Sequence, residues 1–73
     1  GPEAGQGAER LLVPAQSVLR RAERTGLYVL DSQGLPRLRQ VRLGQRQGDM
    51  VEVLSGVAVG DRVVTDPQAA ARR

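Results

Sequence analysis

Residues 48–65 read Gly48-Asp49-Met50-Val51-Glu52-Val53-Leu54-Ser55-Gly56-Val57-Ala58-Val59-Gly60-Asp61-Arg62-Val63-Val64-Thr65. The stretch holds the same entry twice, Gly-Asp-x-Val, twelve residues apart. In each copy glycine suits a tight turn, and the aspartate can accept backbone N–H bonds before an extended run begins. Val51 and Val53 then share one face with Glu52 opposite, the two-residue period of a half-buried strand. Two copies are too few for a solenoid, so they read as two turn-to-strand entries.

Outward from this stretch the same grammar repeats. Leu11-Leu12-Val13 is stopped by Pro14, and Leu27-Tyr28-Val29-Leu30 lies between Thr25-Gly26 and Asp31-Ser32-Gln33-Gly34. The Leu35–Leu43 run is closed by Gly44, Met50–Leu54 follows Gly48-Asp49, and Val63-Val64-Thr65 follows Gly60-Asp61. Such runs predict a mainly β domain, a small antiparallel roll or barrel-like fold of about five short strands. Leu27–Leu30 is apolar on both faces, which predicts a central strand. Asp31–Gly34 predicts a hairpin turn of about four residues, with Gly34 free to take positive φ. Gly34, Gly44, Gly48, Asp49, Gly56, Gly60 and Asp61 are the expected structural turn residues. Val41 and Leu43 share a face, and Leu38 is out of phase with them. Either a bulge lies near Arg39-Gln40 or Leu38 packs on the second face. Ala15–Arg24 carries Val18, Leu19 and Ala22 at helix-compatible spacing and predicts one or two helical turns.

The ends read differently. Residues 1–9 hold glycines and no large apolar residue, and they read as a flexible linker or a protease scar from cloning. Residues 68–73 follow the stop signal Asp66-Pro67 and read as a frayed, disordered tail. One domain, residues 10–67, remains between them.

Composition narrows the chemistry. The chain has 73 residues with no His, Cys, Trp or Phe, and its eleven basic residues are all Arg. It therefore offers no imidazole, thiolate or ε-amine, and no soft metal ligand pair. No cofactor is expected, and neither is a catalytic role. Nineteen Val and Leu residues, helped by Met50 and Tyr28, must supply the core. A chain this short buries only ~60% of its unfolded surface, and without disulfide or metal it reads as a piece of a larger protein. The longest apolar runs are three to four residues, too short for a transmembrane span.

The remaining constellations are carboxylates and arginines. Asp49 and Asp61 sit at turns and Glu52 on a strand face, with no spacing that sets two carboxylates across a cleft. No GxxxxGK[ST] or GxGxxG loop occurs. The net charge is +3, which suits an acidic partner, a nucleic acid, an anionic membrane surface or plain solubility. Arg37, Arg39, Arg42 and Arg46 crowd the third run and its turn, and Arg20, Arg21 and Arg24 the helical segment. Arg37 and Arg39 on one face would track phosphates, but Tyr28 alone offers a base-stacking platform.

In order, these features resemble the C-terminal, membrane-proximal domain of periplasmic adaptor subunits. Those are the membrane fusion proteins of the haemolysin-D-like class that serve bacterial tripartite efflux systems. Leu12-Val13-Pro14 with Ser17-Val18-Leu19 is similar to the family's "VP…AV" entry. Leu27–Asp31 with Gly34 resembles its "vfVvd..G" hairpin. Arg39–Gly44 is similar to "r.V.lG", Gly48–Val53 to "gd.vEV" and Ser55–Val64 to "sGL..GdrVV", with Val57 in place of the usual Leu. The resemblance covers Leu11 to Pro67.

It implies a non-catalytic coupling module that contacts the periplasmic part of an inner-membrane transporter, expected to be of the resistance-nodulation-division type. It also implies a periplasmic location at the inner membrane, partnership with the adaptor's other domains, and homo-oligomers of the full-length protein. Membrane association would lie in parts outside this chain, and no nucleic acid is expected. In intact adaptors an early strand joins this domain, so its absence would expose a sheet edge. Arg20, Arg21, Arg37, Arg39 and Arg42 are the expected docking residues. The alternative is an SH3-like or OB-like small barrel that binds RNA through its Arg-rich face.

Overall fold

The computed structural model describes residues 10–71. The expectations for residues 1–9 and for Arg72 and Arg73 lie outside them. Strands β1 (Leu11–Pro14), β2 (Leu19–Arg21), β3 (Arg24–Leu30), β4 (Pro36–Gln40), β5 (Arg42–Gln47) and β6 (Met50–Ser55) precede one short helix, α1 (Pro67–Ala71). They form two antiparallel three-stranded sheets, ordered β1-β6-β5 and β2-β3-β4. The mainly β, antiparallel expectation holds. Among the described residues the sheets do not close into a barrel.

Alternation decides which side chains meet between the sheets. Val13, Leu27, Val29, Val41, Val51 and Val53 are buried, and Val18, Leu43, Val57 and Val63 pack against them. Leu27 and Val29 are the most deeply placed, at 0% and 1% exposure. Burying such a side chain contributes about 1.5–3 kcal/mol, so the loss of any one matters to a domain this small.

Strand β3 is central, as its two-faced apolar run predicts. Along one edge it pairs with β4 from Gly26↔Gln40 to Leu30↔Pro36. Along the other, β2 covers only Arg24–Gly26. Residues 62–64 complete that edge, where Leu30 N–H donates to Arg62 O and Val64 N–H to Tyr28 O, both at 2.9 Å. The expected strand Val63–Thr65 is thus a single bridge, Val29↔Val63. Too little of β3 is left unpaired for a full strand.

Three further expectations are corrected. Ala15–Arg24 is not a helix. It is a 3-10 turn at Ala15–Ser17, then β2, a two-residue turn at Ala22-Glu23, and the start of β3. A short polar helix is marginal alone, whereas β3 offers ladder partners to Leu19–Arg21. Ser17, fully buried, fixes the turn by donating from Oγ to Pro14 O at 2.6 Å. Second, Leu35–Leu43 is not one strand. The chain bends at Val41 between β4 and β5, with Val41 N–H donating to Thr25 O at 2.9 Å. Leu38 accordingly lies on the outer face of β4, 56% exposed, which settles its phase. Third, Gly44 is within β5 and not at a turn. It lies at a register shift between Leu43 and Arg46, where a Cβ would stand 2.6 Å from Glu52 Oε1. The Ala-rich segment read as a frayed tail carries α1 as far as Ala71, with Asp66 accepting from Ala69 N–H and Pro67 in the first helical position.

The two-residue turns differ in one respect. In β5–β6, Gly48 takes positive φ (61°), but in β2–β3 the equivalent residue is Ala22 at 53°. A Cβ in that region is unfavourable, so Ala22→Gly should stabilise the domain by about 0.5–1 kcal/mol. That should appear as a thermal midpoint raised by about 2–8 °C. Gly56→Ala should do the reverse. Gly56 has φ +102°, and a Cβ would stand 2.5 Å from Gln40 O. A loss above about 2 kcal/mol in urea unfolding is expected.

Candidate functional site

The chemistry-bearing side chains are arginines and aspartates, and the register decides which of them meet. Pairing Arg37 with Val29 and Arg39 with Leu27 puts both guanidiniums on the core side of edge strand β4. They reach past the apolar boundary to the turns. Arg37 Nε donates to Asp31 Oδ2 at 2.9 Å, while Asp31 Oδ1 accepts from the N–H groups of Gln33 and Leu35 at 2.8 and 2.9 Å. Arg39 Nη1 donates to Asp61 Oδ2 at 3.0 Å and to Gly56 O at 3.2 Å. Asp61 Oδ2 also accepts from Ala58 N–H at 2.8 Å. Arg39 therefore ties the loop after β6 to β4.

Both aspartates are held below their ordinary value. For Asp31 the backbone N–H of Leu35 acts most strongly, then the Arg37 guanidinium. For Asp61 the N–H of Ala58 leads and Arg39 adds to it, against an opposing contribution from burial. Glu52 is occupied as well, facing Arg10 at 3.4 Å and accepting from Gln45 N–H at 3.4 Å. Among the described residues no group of three or more carboxylates could hold a metal ion.

The five arginines expected to form one docking face do not share a face. Arg37 and Arg39 are paired on one edge. Arg20 and Arg21 are neighbours on β2 and so point to opposite sides. Arg20 borders an opening of about 340 Å³ between the sheets, near Leu43 and Arg46, and Arg42 begins β5 in the other sheet. Among the described residues, Arg20, Arg21, Arg24, Arg42 and Arg62 have no carboxylate partner.

The outer face of β2-β3-β4 was not singled out from sequence. There Leu19 and Leu38 flank Gly26, with Arg21, Arg24 and Gln40 around them, and they enclose a groove of about 320 Å³. Gly26 is buried, and a Cβ on it would stand 2.9 Å from Arg39 O and 3.4 Å from Leu38 Cδ1. The out-of-phase Leu38 beside a strand glycine was the available signal.

A family model describing the RND MFP C-terminal permuted SH3 domain matches residues 9–69. The chain belongs to that family. It is the C-terminal domain of resistance-nodulation-division (RND) membrane fusion proteins, whose adaptor domains are non-catalytic. No curated protein and no solved structure matches the chain. The membership bears out the resemblance read from Leu11 to Pro67, and it connects the domain with RND efflux adaptors. Proteins with this domain are periplasmic adaptors of efflux pumps. No helix of the described residues is long and apolar enough to cross a membrane. The alternative reading had half of the fold, since the family is a permuted SH3 domain, but the match links it to an adaptor and not to RNA.

The aspartate pairs generate a pH prediction. Because their native pKa values lie below the ordinary 3.8, the unfolded chain binds protons more readily. Their contribution is complete above the unfolded value and is lost as pH falls through it and below. Urea midpoints should be level above about pH 5 and decline towards pH 2. Asp61→Asn should flatten that acid limb, and an unchanged limb would count against the Asp61 assignment.

Proposed function

We propose that this domain is a non-catalytic coupling module of an efflux adaptor that docks on the periplasmic part of an inner-membrane RND transporter. Family membership over residues 9–69 carries the reading. The architecture supports it physically. A coupling module must transmit force without deforming, and here both edges of β3 are paired and the loop after β6 is fastened to β4 through Arg39. It must also present polar surface to its partner, and Arg20, Arg21 and Arg42 are exposed and lack carboxylate partners among the described residues. Arg37 and Arg39 serve the fold first, so their removal would act on docking through the loop they hold.

The chain has no Cys, so a single introduced cysteine is a unique attachment point within this domain. Benzophenone-maleimide placed at Ser32, Leu38, Gln45 or Leu54 in the adaptor, within membranes that contain the RND transporter, should crosslink from at least one position to that transporter. Failure at all four positions would overturn the docking reading. Charge reversal of Arg20, Arg21 or Arg42, made one at a time because they lie on different faces, should weaken the association at low salt only on the face that docks, and matter less at high salt.

A further inference from the structure

We infer that the docking surface is the groove on the outer face of β2-β3-β4, and that it takes a protein segment with an apolar side chain flanked by carboxylates. This rests on the coupling reading above and adds which face is used and what it recognises.

The groove joins two features that are costly to leave alone. Leu19 and Leu38 stand on either side of Gly26, whose missing side chain leaves the floor open. Leu38 is 56% exposed there, whereas Leu27 and Val29 on the inner face of the neighbouring β3 are fully buried. At the rim, Arg21 and Arg24 are directly opposite each other across the hairpin. Like charges in that position destabilise a sheet, and among the described residues neither forms an ion pair with a carboxylate. The hairpin is also the one that forces Ala22 into positive φ. A local conflict of charge and backbone that the fold does not need is the mark of a surface shaped for binding. Two guanidinium forks beside an apolar floor are complementary to carboxylates around an apolar anchor.

Other occupants fit less well. Residues 1–9 supply Glu3 and Glu9 but no large apolar side chain, and residues 72 and 73 are Arg. A second copy would offer Leu12 and Leu54 around Glu52, but Glu52 already faces Arg10 and Gln45 N–H. An anionic lipid surface would satisfy the charges, yet a groove bounded by a glycine selects a side chain more than a plane.

The test compares two probe positions in the adaptor, within membranes that contain the RND transporter. Benzophenone at Leu38→Cys should capture a peptide of the RND transporter that bears Asp or Glu next to an apolar residue. The same probe at Leu54→Cys, on the other sheet, should give much less. Arg21→Glu with Arg24→Glu should cut the Leu38 yield about tenfold, and Arg21→Lys with Arg24→Lys should largely keep it. Both arginines are exposed, so unfolding midpoints should stay within about 4 °C of the parent. Should the double reversal fail to fold, the unmutated arginines still provide a test, because the Leu38 yield must fall at about 1 M salt, where the screening length is ~3 Å. Transporter capture from Leu54 and not from Leu38 would overturn the groove and leave the coupling reading standing. No capture at any position would overturn both. Capture at Leu38 of phospholipid, of residues 1–9, of a second copy or of a basic peptide would each overturn the proposed occupant.

Discussion

The corner at Val41 places the rest of the domain. Its side chain is buried between the sheets while its N–H donates to Thr25 O, so the chain leaves β4 and enters β5 without losing contact with β3. After β6 the chain must pass this corner closely enough that only Gly56 fits, with a Cβ site 2.5 Å from Gln40 O and 2.9 Å from Val41 Cγ1. That crossing brings residues 56–61 alongside β4, within reach of Arg39, and leaves residues 62–64 where β3 has a free edge. Corner, clamp and edge completion follow one another along the chain. Disturbing the first removes the geometry of the other two.

The arginines divide between folding and display, and register makes the division. An edge strand presents its inward side chains where the apolar core ends, so Arg37 and Arg39 can extend over that margin and find the turn carboxylates. Exposed ion pairs of this kind contribute little by Coulomb attraction alone. Their worth here is geometric, because each aspartate is already bound to backbone N–H groups of a turn. The arginine therefore fastens an ordered loop and not a single side chain. Arg21 and Arg24 have no such partner among the described residues and remain as a charged rim.

Much of the fold is legible in the residues because its signals are local. The Asp31–Gly34 turn, the Gly48 turn and the central position of Leu27–Leu30 each follow from neighbours within a few positions. The failures are non-local. Val18, Leu19 and Ala22 match a helix, but β3 offers backbone partners that propensity over ten residues does not weigh. Gly44 looks like a turn, but its place inside β5, at a register shift facing Glu52 and Leu54, depends on the partner strand. The candidate site suffers most. Whether two arginines share a face depends on a register, and whether a guanidinium is spoken for depends on an aspartate more than twenty positions away, as with Arg39 and Asp61. The groove around Gly26 needs three strands in place before it exists.

The two hairpins bring out what the β2–β3 tip sacrifices. At the β5–β6 turn, Gly48 adopts the left-handed conformation freely, and Arg46 donates to its carbonyl at 2.8 Å. That arginine is turned to local stability. At the β2–β3 turn, Ala22 takes a similar φ against its Cβ, between two arginines that oppose each other and donate to no described carboxylate. In a domain with a Val/Leu core and no covalent staple, such a local cost must be offset by the corner and the clamp. The sheet edge that is best fastened, along β4, and the hairpin that is least comfortable, at Ala22, thus lie on the same three-stranded sheet. The first supplies the rigidity against which the second can keep an unsatisfied charge pair aimed outward.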